Sequence, residues 1–340
     1  MLKAAIVGLG WWGETLVDAV KDSPSIRFVA ASTRSRSEKD RAFCAERGLT
    51  LADSYQALLD DPQVDAVVLA TPPSGHRDQV VSAAKAGKHV FCEKPFMMSR
   101  AEAQAAVAAV EAAGVALGLG YNRRFHPSWL DLKARIQAGE LGTILHMECT
   151  MSGPNALSMK PEAWRAQAGE APCGGLFPMG VHAIDGFIDM AGPVADAYAR
   201  SLHRAAPVEN DDTLSILFDM KAGMSAYLAV MTATVGAFRF QVFGTKAMAM
   251  LGGSTHVAGQ SSHQRRAGLF GSYLIQPVKG DPQWIEVPEF DVNRAELEAF
   301  AAAAAGTTPY PISHAEMIQG VAATDAVVAS ARSGRREAVA

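Results

Sequence analysis

Short apolar runs and amphipathic stretches alternate along the first third of the chain. Residues 2–7 form a largely apolar run that ends at Gly8, the pattern of a strand buried in a parallel sheet. Residues 14–21 are amphipathic and stop at Asp22-Ser23-Pro24, so a helix follows that strand. The same pairing predicts a strand at 27–31 with a helix at 38–47, and a strand at 64–70 with a helix at 78–86. A strand at 89–92 with a helix at 101–113 follows, then a strand at 115–119. Gly87 stands just past the third helix, where a left-handed residue ends helices well. Strand and helix in strict alternation imply a parallel sheet with right-handed crossovers.

The pattern breaks near Tyr121. Beyond it the sequence predicts a helix at 128–138, a strand at 143–151, a loop-rich stretch to Gly174 and a helix at 180–191. Strand-like segments then crowd together at 213–218, 224–231, 238–243 and 247–251, which indicates a mostly antiparallel open sheet. Residues 253–271 are rich in Gly, Ser, His and Arg and read as a mobile loop, and helices return at 294–305 and 314–331. No internal repeat is visible.

Length and composition narrow the class. The chain has 340 residues, enough for two domains, and 49% hydrophobic content fills two cores. Charged residues make up only 19%, against a disordered chain, and a formal net charge of −4 argues against a nucleic-acid surface. The basic set Arg34, Arg36, Lys39 and Arg41 is local. Cys44, Cys92, Cys149 and Cys173 form no CxxC pair and no zinc spacing, so they read as reduced thiols and no metal is expected. The start of the chain lacks the long apolar stretch of a signal peptide, and no apolar run reaches membrane-span length. A cytoplasmic protein is the expectation.

Candidate chemistry sits at the predicted strand ends. Gly8-Leu9-Gly10-Trp11-Trp12-Gly13 is a GxGxxG that follows a strand and opens a helix. Gly8 permits a tight turn, Gly10 lets backbone approach a pyrophosphate, and Gly13 allows close helix packing. The helix N-terminus then offers N–H groups to phosphate. Without that context the motif would be only a glycine-rich turn. The next strand ends in Ser32-Thr33-Arg34-Ser35-Arg36, with no acid between Ile26 and Ser37 to hold ribose hydroxyls. An arginine fork pairs with a 2′-phosphate, so NADP is favoured over NAD; solvated loop charges are the plainer alternative. Thr71-Pro72-Pro73 would make a rigid shelf at the third strand end, with His76 on the same loop either touching cofactor or serving structure. Glu93-Lys94-Pro95 follows the fourth strand. An ammonium there can bond a substrate hydroxyl and stabilise an alkoxide, although the tripeptide alone is common on surfaces.

VGLGWWG, ATPPSGH, AGKHVFCEKPF and GYNRRFHP occur in this order. The chain thereby resembles the glucose–fructose oxidoreductase / inositol dehydrogenase / rhizopine catabolism family (Gfo/Idh/MocA) over essentially its whole length. The resemblance implies an α/β architecture: a Rossmann doubly wound parallel sheet over 1–121, and a C-terminal α/β domain with a mostly antiparallel open sheet over 122–340. That second domain would bind substrate and form a homo-dimer or homo-tetramer, and its last helices could pack back on the first. The resemblance implies a nicotinamide cofactor and a sugar, polyol or related small substrate, with no nucleic-acid or membrane partner.

By the same resemblance Lys94 and His182 are the catalytic candidates. Tyr121, Asn122, Arg123 and Arg124 match a segment near the domain junction, and Trp164-Arg165 matches a pair that approaches the nicotinamide in some relatives. Residues 174–185 match a glycine-rich segment, placing its histidine at His182 and its later aspartate at Asp185, while Pro178 replaces the first aspartate. Candidate cofactor residues are therefore Gly8, Leu9, Gly10, Trp11, Trp12, Gly13, Ser32, Thr33, Arg34, Thr71, Pro72, Pro73, His76, Glu93, Lys94, Asn122 and Arg165. Candidate substrate residues are Lys94, Arg124, Trp164, His182 and Asp185. The expected reaction is hydride transfer between NADP or NAD and a carbinol carbon. A redox-neutral lyase or glycosidase-like enzyme that uses bound nicotinamide transiently is one alternative, and a non-catalytic nucleotide sensor is another.

Overall fold

The computed structural model describes residues 1–254 and 269–339, and most of the 253–271 stretch lies outside them. The chain divides into two compact units: Met1–Asn122 with Asp291–Ile318, and Arg123–Phe290 with Gln319–Ala340.

The first unit holds a six-stranded sheet in the order β3-β2-β1-β4-β5-β6. Its strands are β1 (Leu2–Val7), β2 (Ile26–Ser32), β3 (Thr50–Leu51), β4 (Ala66–Leu69), β5 (His89–Cys92) and β6 (Leu117–Leu119), all paired parallel. Every residue of β4 is buried, which is what an unbroken Ala-Val-Val-Leu run requires when helices cover both faces. The helices are α1 (Trp11–Ala19), α2 (Glu38–Glu46), α3 (Tyr55–Asp60), α4 (His76–Lys85) and α5 (Arg100–Ala113). Capping fixes their ends. Ser37 and Asp40 form a reciprocal capping box on α2, Ser99 caps α5, and Gly114 closes α5 at φ 65°.

After Asp291 the chain adds α8 (Val292–Ala304) to this unit. Leu297, Phe300 and Ala301 of α8 join the core formed by Ile6, Leu16, Val68 and Phe91. The Phe91 and Phe300 rings meet edge to face at 5.7 Å. The sequence pattern misses β3 and α3, because two and six residues are too few to show a period.

The second unit is built on a nine-stranded sheet in the order β14-β13-β12-β11-β7-β10-β9-β8-β15. Its strands are β7 (Ile144–Ser152), β8 (Val194–Leu202), β9 (Thr213–Met220), β10 (Ser225–Met231), β11 (Ala237–Gly244), β12 (Ala247–Gly253), β13 (Ser272–Pro277), β14 (Gln283–Ile285) and β15 (Glu337–Ala338). The β7–β10 pair is parallel and the other pairs are antiparallel. One face is dry: Ala199, Ile216, Leu228, Cys149, Phe240, Leu251 and Tyr273 are register partners across it and all are buried. On it pack α6 (Pro127–Gln137) and α7 (Val181–Ala191), through Trp129 and Phe187 against Phe240 at 4.9 and 5.5 Å. The last helix, α9, runs His314–Ser333. The sequence reading misses β8, β13 and the edge strands β14 and β15. The two edge strands are only three and two residues long, and β8 mixes charge with small residues.

Candidate active site

Parallel strands share a carboxyl edge, so the segments that leave β1, β2, β4 and β5 emerge side by side. The Gly8–Gly13 turn is shaped by packing at two of its glycines. Gly8 has φ +97°, and a Cβ there would lie 2.6 Å from Ala70 O. A Cβ on Gly13 would lie 2.0 Å from Gly8 O, so α1 can start against β1 only through glycine. Gly10 differs, since a Cβ there would meet nothing within 4 Å. Its constraint does not come from the protein interior, and it precedes a helix that no side chain caps. A helix start that no side chain caps, beside an unfilled backbone approach, is what a pyrophosphate needs, so the loop fits a dinucleotide.

The β2 end is more ordered than its composition suggests. Ser35 Oγ donates to Asp40 Oδ2 at 2.6 Å, and Ser37 N donates to the same oxygen at 2.7 Å. Burial works to raise the Asp40 carboxyl, but the bonds from Ser35 and Ser37 outweigh it and hold the group below its ordinary value. Arg36, at φ 45°, pairs with Asp53 at 2.6 Å, Lys39 pairs with Glu14, and Arg41 Nη1 bonds the Arg36 carbonyl. Thr33 and Ser35 hydroxyls lie 3.4 Å apart, and Ser32 is buried. Arg34 is exposed and has no hydrogen bond or ion pair among the described residues. The basic set is thus largely neutralised from within, and Arg34 is its member with no such partner among the described residues. Asp40 and Asp53 lie beyond the 26–37 stretch in sequence, and only the fold brings them to the β2 end.

Thr71 Oγ1 donates to Gln79 Oε1 at 2.6 Å, and Pro73–Gly75 form one helical turn ahead of α4. His76 is not on the loop as expected; it opens α4 and is fully buried. Its Nδ1 lies 2.9 Å from Pro95 O and 3.1 Å from Phe96 O, and its Nε2 lies 3.0 Å from Thr71 O. The ring ties the β4 loop to the β5 loop, and hence Thr71 to the segment that carries Lys94. Trp11 and Trp12 meet edge to face at 5.1 Å; Trp11 is exposed, and Trp12 packs on the core beside Leu9.

Lys94 is half-buried and is followed by a cis peptide to Pro95. Its backbone N donates to Glu93 Oε2 at 3.1 Å. Glu93 itself is buried, and a Cβ on Gly120 would lie 2.8 Å from its carboxyl carbon. Glycine at the β6 exit therefore makes room for that carboxyl. Burial pushes Glu93 up to about 7, against the opposing pull of Lys94 and the Trp12 indole. Asn122 is buried and donates from Nδ2 to Asn293 Oδ1 at 2.9 Å, while its own Oδ1 has no hydrogen-bond partner among the described residues. A buried acceptor of that kind suits an amide N–H from a ligand.

The second unit carries the remaining candidates. His182 stands in the first turn of α7, after a π-helical turn at Leu176–Gly180 that contains Pro178. Arg124 and Asp185, both expected at substrate, bind one another. Arg124 Nε lies 3.0 Å from both Asp185 oxygens, and Nη2 lies 2.6 Å from Oδ1. Arg124 Nη1 reaches Asp189 Oδ1 at 3.0 Å, and Trp129 Nε1 donates to Asp189 Oδ2 at 2.8 Å. This group is buried and links α6 to α7. Neighbouring Arg123 is buried over the Phe238 ring, and burial lowers it to about 10. Arg165 stacks its guanidinium 4.4 Å from the Trp164 ring centroid, and its carbonyl accepts from Asn210. Arg165 and Pro178 line one small cavity with Met159, Asn210, Asp211 and Thr232; His182 is not among its lining residues. Among the described residues no group of three or more His, Cys, Asp or Glu could hold a metal ion.

Comparison with known proteins gives this geometry a family. Residues 2–121 match the model of the oxidoreductase family with an NAD-binding Rossmann fold, and residues 129–250 match the GFO/IDH/MocA C-terminal domain. An uncharacterized oxidoreductase, YrbE of Bacillus subtilis (strain 168), is 30% identical over 252 residues, which is 72% of each chain. The chain belongs to the Gfo/Idh/MocA oxidoreductase family. This family member is also 36% identical over 147 residues to scyllo-inositol 2-dehydrogenase (NAD(+)) of Bacillus subtilis, 42% of each chain. Among solved structures, a protein assigned as an NADPH-dependent oxidoreductase from Desulfitobacterium hafniense DCB-2 superimposes with a TM-score of 0.91 at 25% identity. That match covers 99% of this chain and 97% of the other. Relatives use either nicotinamide cofactor, and the parallel sheet of the first unit is the NAD-binding domain. Among the described residues no helix is long and apolar enough to cross a membrane.

Proposed function

We propose that this oxidoreductase uses NADP to interconvert a carbinol and a carbonyl on a sugar, polyol or related small molecule, with Lys94 handling the hydroxyl proton. The observation that carries the reading is the shared strand edge of the first unit. The open Gly10 backbone, the spare Arg34 and the Glu93-Lys94 segment all leave it. When bound, the nicotinamide supplies the hydride chemistry. The chain supplies the rest: Arg34 for a 2′-phosphate, Asn122 Oδ1 for an amide, and Lys94, as the neutral amine, to take the proton as the carbinol oxygen becomes a carbonyl. His182 is proposed as a second proton-handling group. Arg124 and Asp185 are assigned to the framework of the second unit, because each already satisfies the other. His76 is assigned to positioning Thr71 and the Lys94 segment.

A panel of sugars, polyols and hydroxy acids tested with NADP is expected to give net nicotinamide reduction with at least one member. Arg34→Ala should weaken NADP binding roughly tenfold and leave NAD binding almost unchanged, because only NADP carries the phosphate. Calorimetric titration of both cofactors checks this, and an equal loss for both would remove Arg34 from the phosphate site. Pro178 favours one second reading. A proline has no acid to offer where related segments carry aspartate, which suits a redox-neutral reaction that returns its hydride. Turnover without added cofactor and without net absorbance change would select that reading.

The outer face of the nine-stranded sheet bears on assembly. Tyr198, Leu217, Tyr227, Glu148, Gln241, Met250, Leu274 and Trp284 are consecutive register partners across eight strands. Tyr198, Leu217, Tyr227 and Trp284 in that row are exposed. We infer that a second copy of the chain covers this row, since broad apolar faces seldom stay in water. Leu217→Lys should lower the mass measured by light scattering toward that of one chain. A mass of one chain for the unsubstituted protein would contradict the inference.

A further inference from the structure

One buried acid in the first unit is used by nothing above. Glu296, on α8, is fully buried, and both of its carboxyl oxygens lack a hydrogen-bond partner among the described residues. A carboxylate in that state would be strongly disfavoured, because a buried charge needs a partner that donates to it. The charged groups that act on it are Glu93 and Lys94 from the β5 end and Asp291 just before α8. Glu93 and Asp291 are both acidic and oppose a second negative charge, and Lys94 alone favours one. Glu93 is the better placed of the two glutamates to ionise, since it accepts from the Lys94 backbone and faces the ammonium-bearing segment. The lack of a side chain at Gly120 leaves room for its carboxyl.

We propose that Glu296 is a positioning residue for Lys94: it stays a neutral carboxylic acid and offers its proton toward Glu93. The site then sets one carboxylate against the ammonium that Lys94 becomes on taking the hydroxyl proton, rather than two acids against one base. The proton on Glu296 is what turns an acid into a donor, so two carboxyl groups can share one buried site only in this mixed state. Burial, with Glu93 next in size, drives Glu296 well above the ordinary glutamate range. Burial raises Glu93 as well, to about 7, and there Lys94 and the bond from the Lys94 backbone pull the other way. The proposal rests on Lys94 as the proton-handling residue.

The experiment combines a pH profile with an infrared spectrum of the full chain. The unsubstituted protein should show an acid limb in kcat/KM near the Glu93 value, with activity lost as pH falls and Glu93 gains its proton. Glu296→Leu removes the donor, so Glu93 should hold its proton to higher pH and the limb should move up by about one unit. Glu296→Gln keeps a donor and should restore the limb to within a few tenths of a unit. Independently of turnover, the carbonyl band of a protonated carboxylic acid should be present at about pH 9.5, where Glu93 has lost its proton in all three proteins, and absent in both variants. If that band is missing from the unsubstituted protein, or if Glu296→Leu leaves the limb in place while folding and binding cofactor, the proposal is wrong. If the band is present and Lys94→Ala retains full turnover, Glu296 is still a neutral acid and the reading of Lys94 is what fails.

Discussion

Lys94→Ala is expected to lower turnover roughly 100-fold or more while leaving NADP affinity within about twofold. The large effect follows from chemistry rather than stability. Lys94 is half-buried, and its hydrogen bond to Glu93 comes from its backbone N, which alanine retains, while loss of the ammonium lets the buried Glu93 hold its proton rather than stand as an unpaired charge. The capping of α5 by Ser99 and the clamp by His76 do not depend on the Lys94 side chain either. What disappears is the group that receives the hydroxyl proton as a carbonyl forms. Without it the alkoxide must develop unsupported in a site of reduced polarity. Steady-state kinetics on the best substrate of the panel, paired with a cofactor titration, separates the two quantities. A loss of cofactor binding equal to the loss of turnover would make Lys94 a nucleotide contact instead.

The second large effect belongs to stability. Arg124→Met is expected to cost about 3–5 kcal/mol, because it strands buried carboxylates that the arginine now holds. Arg124, Asp185 and Asp189 have side-chain exposures of 4%, 6% and 3%, so water cannot replace the lost partner. Asp189 keeps Trp129 and Lys133, but Asp185 loses a bidentate fork. Arg135→Ala is the control. Arg135 pairs with Asp131 and Glu140, whose side chains are 42% and 52% exposed, and pairs of that kind are worth about 1 kcal/mol or less. Urea unfolding of the two variants should therefore differ several-fold in effect. Similar losses for both would show that the α6–α7 network is not the buried anchor described here.

Much of the first unit is legible in the chain itself. The Ile6-Val7-Gly8 sequence announces a strand followed by a turn, and Ala-Val-Val-Leu reads as a doubly covered strand because nothing polar interrupts it. Candidate site residues are legible where local pattern and chemistry coincide, as at Gly10 and Lys94. Elements and partners that depend on distance in sequence are not. Asp291–Ile318 joins the first unit across a gap of about half the chain, so neither Phe300 against Phe91 nor the influence of Lys94 on Glu296 can be read from spacing. Arg124 and Asp185 show the reverse. Each looks like a ligand for substrate when taken alone, and only α6 packed beside α7 reveals that they neutralise one another. His76 is a further case: its position after two prolines suggests a loop, yet the carbonyls of Thr71, Pro95 and Phe96 enclose it.

The reading of the first unit stands or falls on a nucleotide. Titration of the purified chain with NADPH and with NADH, followed by fluorescence and calorimetry, should show about one site per chain and tighter binding of NADPH. Uptake of neither dinucleotide at millimolar concentration would contradict the account at its base, whatever the strand order of the sheet.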